Sequence, residues 1–370
     1  MRIGIAWRYF HERSGLPRYC TQLARLLAQQ DDVYLFAQSV DVPIDSRGVI
    51  RFPFSFRSKR LEYGPNTLLN SAIISAAKKR LALDIVNTQD ATLLGHEVIT
   101  AHGTWWGHYR VHAMNDSTMA RELRKSVIPI VERWNYRRRR YRRIIVPSEL
   151  VQSELRGRYA VPKEDMSVVY DGVDPALFRP DVGRRASWRR AHGFREETVL
   201  LHISTDFLRK GLWTLVRSLP LLPDSVRLFV VGREDPSPYL ALARELGVDG
   251  RIRFAPSANP LEDFYNGCDI YVFPTFYESF GLTLLEAMAC GRPVVCTRMA
   301  GASELMREGN DAILLDRWDD PQELAAKVSY VIDSGIGTSL GRAARRTAEA
   351  YTWQRTSALT RQVFEAARRR

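Results

Sequence analysis

Short runs rich in Ile and Val alternate with helical patterns along almost all of this chain, a rhythm that confines it to parallel sheets covered by helices on both faces. The runs predict strands over 3–7, 33–37, 84–87, 98–101, 144–147 and 167–170. Helices are predicted between them over 18–30, 66–81 and, long and basic, 117–140. Residues 171–185, DGVDPALFRPDVGRR, break the periodicity with two prolines and two glycines and read as a linker. A second series follows, with strands over 199–204, 226–231, 252–255, 270–273, 294–296 and 312–315. A chain of 370 residues can bury two cores. The expected fold is therefore α/β, with two doubly wound, Rossmann-like domains over 1–175 and 186–351, and a helix over 352–370 that packs back on the first. Ligands of such sheets lie beyond the carboxyl ends of the strands, where strand order reverses. Two such domains facing one another would enclose one cleft, with its chemistry on strand-to-helix loops.

The net charge of +12 is unevenly spread. Residues 1–165 hold 27 Lys and Arg against 16 Asp and Glu, and the remainder hold 27 against 26. The first domain is thus expected to meet something anionic: a membrane face, a phosphorylated acceptor or a nucleic acid. No stretch approaches the roughly 20 apolar residues that a membrane span needs. The opening MRIGIAWRYF reads as a strand rather than a signal peptide, so a cytoplasmic location is expected. Cys20, Cys268, Cys290 and Cys296 are too scattered for a disulfide framework or a zinc site and read as small buried apolar residues.

The strongest local pattern is PTFYESFGLTLLEAMACGRP, residues 274–293. Glu278 lies in a loop after an apolar strand, Gly281 opens a helix, and Glu286 follows Glu278 by eight residues. Side chains tilt toward a helix N-terminus, so both carboxylates are expected at one mouth as acceptors for hydroxyls. The amides from Ser279 to Leu282 are expected to form an anion site. The bland alternatives are a solvated loop carboxylate for Glu278 and a stray buried charge for Glu286, the latter costly. The second pattern is STDFLRKG, residues 204–211, directly after the first strand of the second domain. Arg209 and Lys210 at a helix start are electrostatically disfavoured unless they meet an anion, and they suit the charge that develops on a departing diphosphate.

Two further segments lie in the first domain. HERSGLPRY, residues 11–19, places Ser14 and Gly15 before a helix, a weak pattern that also fits a plain turn. HGTWWGHY, residues 102–109, offers Trp105 and Trp106 for stacking on sugar rings and His102 for a hydroxyl, against the alternative of a buried aromatic plug. RWNYRRRRYRR, residues 133–143, follows Arg121, Arg124 and Lys125. On a continuous helix Arg133, Arg137 and Arg140 share one face, with Arg138 beside them and Trp134, Tyr136 and Tyr141 interleaved. An interfacial helix at an anionic membrane is the favoured reading over a solvated face or nucleic-acid binding.

Together these motifs resemble the retaining glycosyltransferases of family 4, which have the two-domain glycosyltransferase B fold. The resemblance also covers VVYDGVDPALFRP before the second domain and GASELMREGNDAILL after the Glu-x7-Glu element. It implies that Glu278 contacts the transferred sugar, Glu286 the ribose, Arg209 and Lys210 the diphosphate, and the backbone around Phe280, Gly281, Leu282 and Thr283 the sugar and phosphates. Gly15 would lie opposite that anion site. Many relatives place the arginine five residues before the lysine, where this chain has Thr205. The adjacent Arg209 and Lys210 look like the version in bacterial lipopolysaccharide core glucosyltransferases. His102 aligns loosely with a histidine of some members.

The expected activity is retaining, metal-independent transfer of a hexose, without a cofactor, from a UDP-sugar, UDP-glucose first among them. The expected acceptor is a lipopolysaccharide, glycolipid or polysaccharide at the cytoplasmic membrane face. The alternatives are a fold-related epimerase or phosphorylase, or a nucleic-acid-binding protein, which would leave the Glu278–Glu286 element without a purpose.

Overall fold

The computed structural model describes residues 1–13, 15–53, 65–94, 96–115, 128–256 and 260–369. It divides into two compact units, Met1–Gly172 with Trp353–Arg370, and Val173–Thr352.

The first unit contains β1 (Arg2–Ala6), β2 (Tyr9–Phe10), β3 (Asp32–Ala37), β4 (Ser39–Val40), β5 (Gly48–Arg51), β6 (Ile85–Gln89), β7 (Val98–Thr100), β8 (Arg143–Val146) and β9 (Met166–Val168). Seven of them form a parallel sheet in the order β5-β3-β1-β6-β7-β8-β9, and β2 pairs with β4. Strand order reverses at β1, which lies between β3 and β6. β5 was absent from the sequence reading because it is a four-residue edge strand that alternates half-buried and exposed positions. β1, β6, β7 and β8, inside the sheet, are buried on both faces but for Arg2 and Arg143 at their starts, as helix-covered parallel strands must be.

The second unit contains β10 (Thr198–Ile203), β11 (Val226–Val231), β12 (Ile252–Ala255), β13 (Ile270–Phe273), β14 (Val294–Thr297) and β15 (Ile313–Leu315). They form one sheet in the order β12-β11-β10-β13-β14-β15, parallel throughout. The reversal lies at β10, between β11 and β13. Leu200, Leu215, Leu228, Val272 and Leu324 belong to its buried core. All four cysteines are free and buried.

Three expectations about the chain's course are corrected. Residues 173–185 are not a linker but part of the second unit. Phe178 is buried there, Asp181 caps the helix Val182–Ala191, and Arg185 and Arg189 of that helix bind Asp269. The helix predicted over 117–140 is Ile128–Arg137, while 116–127, with Arg121, Arg124 and Lys125, lie outside the described residues. It ends at Arg137, and Arg139 adopts a φ of 48°, so Arg140 does not continue the face of Arg133 and Arg137. Tyr136, expected among the interleaved aromatics, points into the core.

The terminal helix Trp353–Arg368 belongs to the first unit, where it packs on the helix Gly15–Ala28. Its Arg361 binds Asp31, whose fully buried carboxylate also takes the Met1 ammonium group.

Gly211 fixes the loop after β10. Its φ is 79°, and a Cβ there would lie 1.9 Å from the Pro274 carbonyl oxygen, which follows β13. Only glycine combines that dihedral with that approach. Gly211→Ala is expected to destabilise the second unit by about 2 to 4 kcal/mol. Denaturant unfolding measures this, and a variant as stable as the parent contradicts the close approach.

Candidate active site

The loops following β10 and β13, the strands at which sheet order reverses in the second unit, carry Arg209, Lys210 and Glu278. Helix N-termini and strand ends converge at such a point. The Glu278 carboxylate joins the two loops: its Oε2 lies 3.1 Å from Lys210 Nζ and 3.4 Å from Arg209 Nη1. The Arg209 Nε donates to Asp206 Oδ2 at 2.9 Å, and its Nη1 donates to the Tyr277 carbonyl at 2.6 Å. In return the Arg209 carbonyl accepts from Phe276 N at 2.9 Å and from the Thr275 hydroxyl at 3.2 Å. Asp206 is legible in the sequence only through its spacing of three residues before Arg209.

The side chains of Arg209, Lys210 and Glu278 are 8%, 12% and 14% exposed. Charges so far from water interact strongly, and none can be removed without leaving another unbalanced. Arg209 sits deepest and is already engaged on three sides. Lys210, over the Phe273 ring at 5.1 Å from its centroid, is a compact point charge beside Glu278. Beyond Glu278, Gly281 has a φ of 103° and opens the helix Leu282–Ala289. The Leu282 and Thr283 amides stand in its first turn, where intrahelical partners are lacking. Phe280 is buried, with its carbonyl accepting from Ala302 N at 2.7 Å.

Glu286 is more enclosed than Glu278. It is 2% exposed, and its Oε2 accepts from the Tyr265 hydroxyl at 2.7 Å. Tyr265 belongs to the helix Leu261–Gly267 and was not singled out from the sequence, where it is one tyrosine among many.

In the first unit, Gly15 is exposed at the start of the helix Gly15–Ala28, and Ser14 lies outside the described residues. His102 follows β7. Its Nε2 is 2.8 Å from Gln89 Oε1, its backbone amide donates to Asp90 Oδ1 at 2.9 Å, and the Tyr19 ring meets its imidazole edge-on. Desolvation pushes the imidazole down to about 3, so it is neutral at physiological pH. Trp105 and Trp106 are half-buried rather than open platforms: Trp105 stacks on Tyr109 and Trp106 lies under the Arg158 guanidinium. Their helix, Trp105–Met114, is anchored by Glu132, whose carboxylate accepts from Trp105 N at 3.0 Å and from the Tyr159 hydroxyl at 2.6 Å.

Arg133, Arg137, Arg138 and Arg140 are exposed. Arg138 and Arg140 stack on Trp134 at 4.4 and 5.2 Å. Arg133, Arg137 and Arg158 line a groove of about 540 Å³ with Pro129, Ile130 and Tyr159. Among the described residues, no three His, Cys, Asp or Glu side chains are gathered as metal ligands, and no helix is long and apolar enough to cross a membrane.

Asp90, with a φ of 59°, holds its carboxyl at about 7 because desolvation disfavours the charged form. A raised acid contributes stability below its unfolded value near 3.8, and that contribution is lost as pH rises through about 7. Asparagine tolerates the same backbone and still accepts from His102 N. The melting temperature of Asp90→Asn minus that of the parent should therefore grow between pH 4.5 and 7.5, whereas a constant difference would contradict the raised value.

The description "Glycosyltransferase Family 4" matches residues 13–177, and "Glycosyl transferases group 1" matches residues 197–334. A D-inositol 3-phosphate glycosyltransferase of Kribbella flavida is 30% identical over 61% of this chain, and the chain spans 56% of that protein's length. One of Salinispora arenicola is 26% identical over 93% of this chain and 85% of its own. Among solved structures, WaaG, a glycosyltransferase involved in lipopolysaccharide biosynthesis, has a TM-score of 0.79 at 20% identity, covering 98% of this chain and 99% of its own. Anabaena Alr3699/HepE in complex with UDP-glucose has a TM-score of 0.75 at 16% identity, covering 99% and 100%. These two likenesses establish the fold. With one description on each unit and glycosyltransferase relatives across most of its length, the chain belongs to the family 4 glycosyltransferases of the two-domain glycosyltransferase B fold.

Proposed function

We propose that the protein transfers a hexosyl group, with retention, from a UDP-sugar to an anionic acceptor. The observation that carries this reading is the enclosed cluster of Arg209, Lys210 and Glu278 at the carboxyl ends of β10 and β13. In the transfer the bond from the sugar C1 to the diphosphate oxygen breaks, and the bond from C1 to the acceptor oxygen forms on the same face. The acceptor proton passes to the departing diphosphate. Lys210 and Arg209 stabilise the charge gathering on that diphosphate, and the Leu282 and Thr283 amides add helix-terminal donors. Glu278 exchanges part of its hold on the cations for hydroxyls of the sugar, and Glu286 accepts from the ribose. The reaction needs neither metal nor cofactor, because fixed cations supply the charge. UDP-glucose is the first donor to test, supported by the UDP-glucose complex of the similar Anabaena fold.

The acceptor reading rests on the basic first unit. A lipopolysaccharide, glycolipid or polysaccharide at the inner membrane face suits the exposed arginines, and the protein would sit there as a peripheral cytoplasmic enzyme. The relatives named for D-inositol 3-phosphate favour a second acceptor class, a small phosphorylated polyol, which would satisfy the same charge.

Lys210→Ala and Glu278→Ala are each expected to lower turnover of UDP-glucose by at least ~100-fold with the fold retained. Near-normal turnover of either purified variant would refute the assignment, and chelators should leave the parent's rate unchanged. Replacing Arg137, Arg138, Arg139 and Arg140 with serine should weaken flotation with anionic liposomes while donor hydrolysis persists. Equal flotation of the two proteins removes the membrane role.

A further inference from the structure

β6 carries three buried polar side chains, Asn87, Thr88 and Gln89. Asn87 and Gln89 are fully buried on this central strand, and the Thr100 hydroxyl lies 3.4 Å from Asn87 Oδ1 as a donor. Asn87 Nδ2 donates to the Val98 carbonyl at 3.3 Å and to Thr100 Oγ1 at 3.0 Å. A carbonyl can only accept, so this end of the Asn87 amide is the NH2 group. Asn87 Oδ1 therefore faces Gln89 and accepts from its Nε2 at 2.6 Å. That in turn fixes Gln89 Oε1 toward His102, 2.8 Å from the ring Nε2. Two acceptors cannot face each other at that distance, so Nε2 carries the proton.

The imidazole is held from other sides as well. Its backbone amide is tied to Asp90, and Tyr19 packs edge-on with ring centroids 4.6 Å apart. Being neutral, the ring has one proton, and Nδ1 is left as an acceptor without a hydrogen-bond partner among the described residues.

We propose that Asn87 and Gln89 are positioning residues that lock His102 in its Nε2–H tautomer, so that Nδ1 accepts a hydrogen bond from a hydroxyl of the sugar or acceptor bound beyond β7. The hydroxyl contact rests on the glycosyl-transfer reading, whereas the tautomer does not. Fixing a tautomer through a buried partner is a recognised way to set the direction of a histidine's hydrogen bond. The alternative role for His102, a general base that takes a proton, is disfavoured by its lowered basicity.

Nitrogen-15 spectra of histidine-labelled protein test this, with His102→Asn identifying the resonances. In the parent, Nε2 should be protonated and Nδ1 bare from pH 5.5 to 8. Gln89→Met removes the acceptor and should give mixed tautomers with a loss in kcat/KM on the order of tenfold, about one hydrogen bond. Asn87→Leu removes the acceptor that orients the Gln89 amide and should also give mixed tautomers. A proton on Nδ1 in the parent overturns the proposal, as does an unchanged tautomer in folded Gln89→Met. If Gln89→Met does not fold, the parent and Asn87→Leu spectra decide, an unchanged tautomer in folded Asn87→Leu overturning the proposal in the same way. The expected tautomers beside a parent protein that transfers no sugar would refute the transfer reading alone.

Discussion

Arg209 carries its charge inside the second unit, and a guanidinium there is tolerable only with carboxylates and carbonyls arranged around it. Asp206 and the Tyr277 carbonyl supply most of that arrangement, and Glu278 completes it together with Lys210. The same contacts bind the loop after β10 to the loop after β13, with Gly211 permitting the backbones to touch. A structural need and a chemical one thus fall on the same atoms. The cluster holds two cations and two carboxylates, so it is balanced before a ligand arrives. On the proposed function, an entering diphosphate would compete with Glu278 for Lys210, tying donor binding to the position of the carboxylate proposed to meet the sugar.

The first unit uses its sheet differently. Beside the Asp31 ion pairs, its interior holds neutral amides and titratable groups shifted by burial: Asn87, Gln89 and His102 form a chain, while Asp90 and Glu132 are both pushed up to about 7. Its positive charge is kept outside, on Arg133, Arg137, Arg138 and Arg140 and on Arg158 over Trp106. Neutral polar groups can orient hydroxyls without attracting counterions, and surface arginines can attract an anionic partner without disturbing the interior.

The two sheets were legible because buried parallel strands are near-continuous apolar runs, and those over β10 to β14 coincide closely with what the residues suggest. Arg209, Lys210 and Glu278 were legible for a different reason: charged residues beside glycines at strand ends are poorly explained by packing. What surrounds them was not. The Tyr277 carbonyl leaves no trace in residue type, and Tyr265 reaches Glu286 across 21 positions of sequence. The arginine run misled because helical periodicity was extended past Arg137, where a left-handed residue at Arg139 ends it. Residues 173–185 read as a linker because proline and glycine mark irregular backbone, and irregular backbone can still be packed, as buried Phe178 shows. Asn87 and Gln89 did carry a sign, two amides spaced by two in a fully buried strand where Thr88 is also polar.

The central claim is that the Glu278-linked cations hold the diphosphate of a nucleotide donor. Calorimetric titration with UDP and with UMP tests it most directly, since the two ligands differ by one phosphate. The account predicts that the parent binds UDP at least ~10-fold more tightly than UMP and that Lys210→Ala removes most of that preference. Equal affinity of the folded parent for the two ligands, or a preference unchanged in Lys210→Ala, would contradict it.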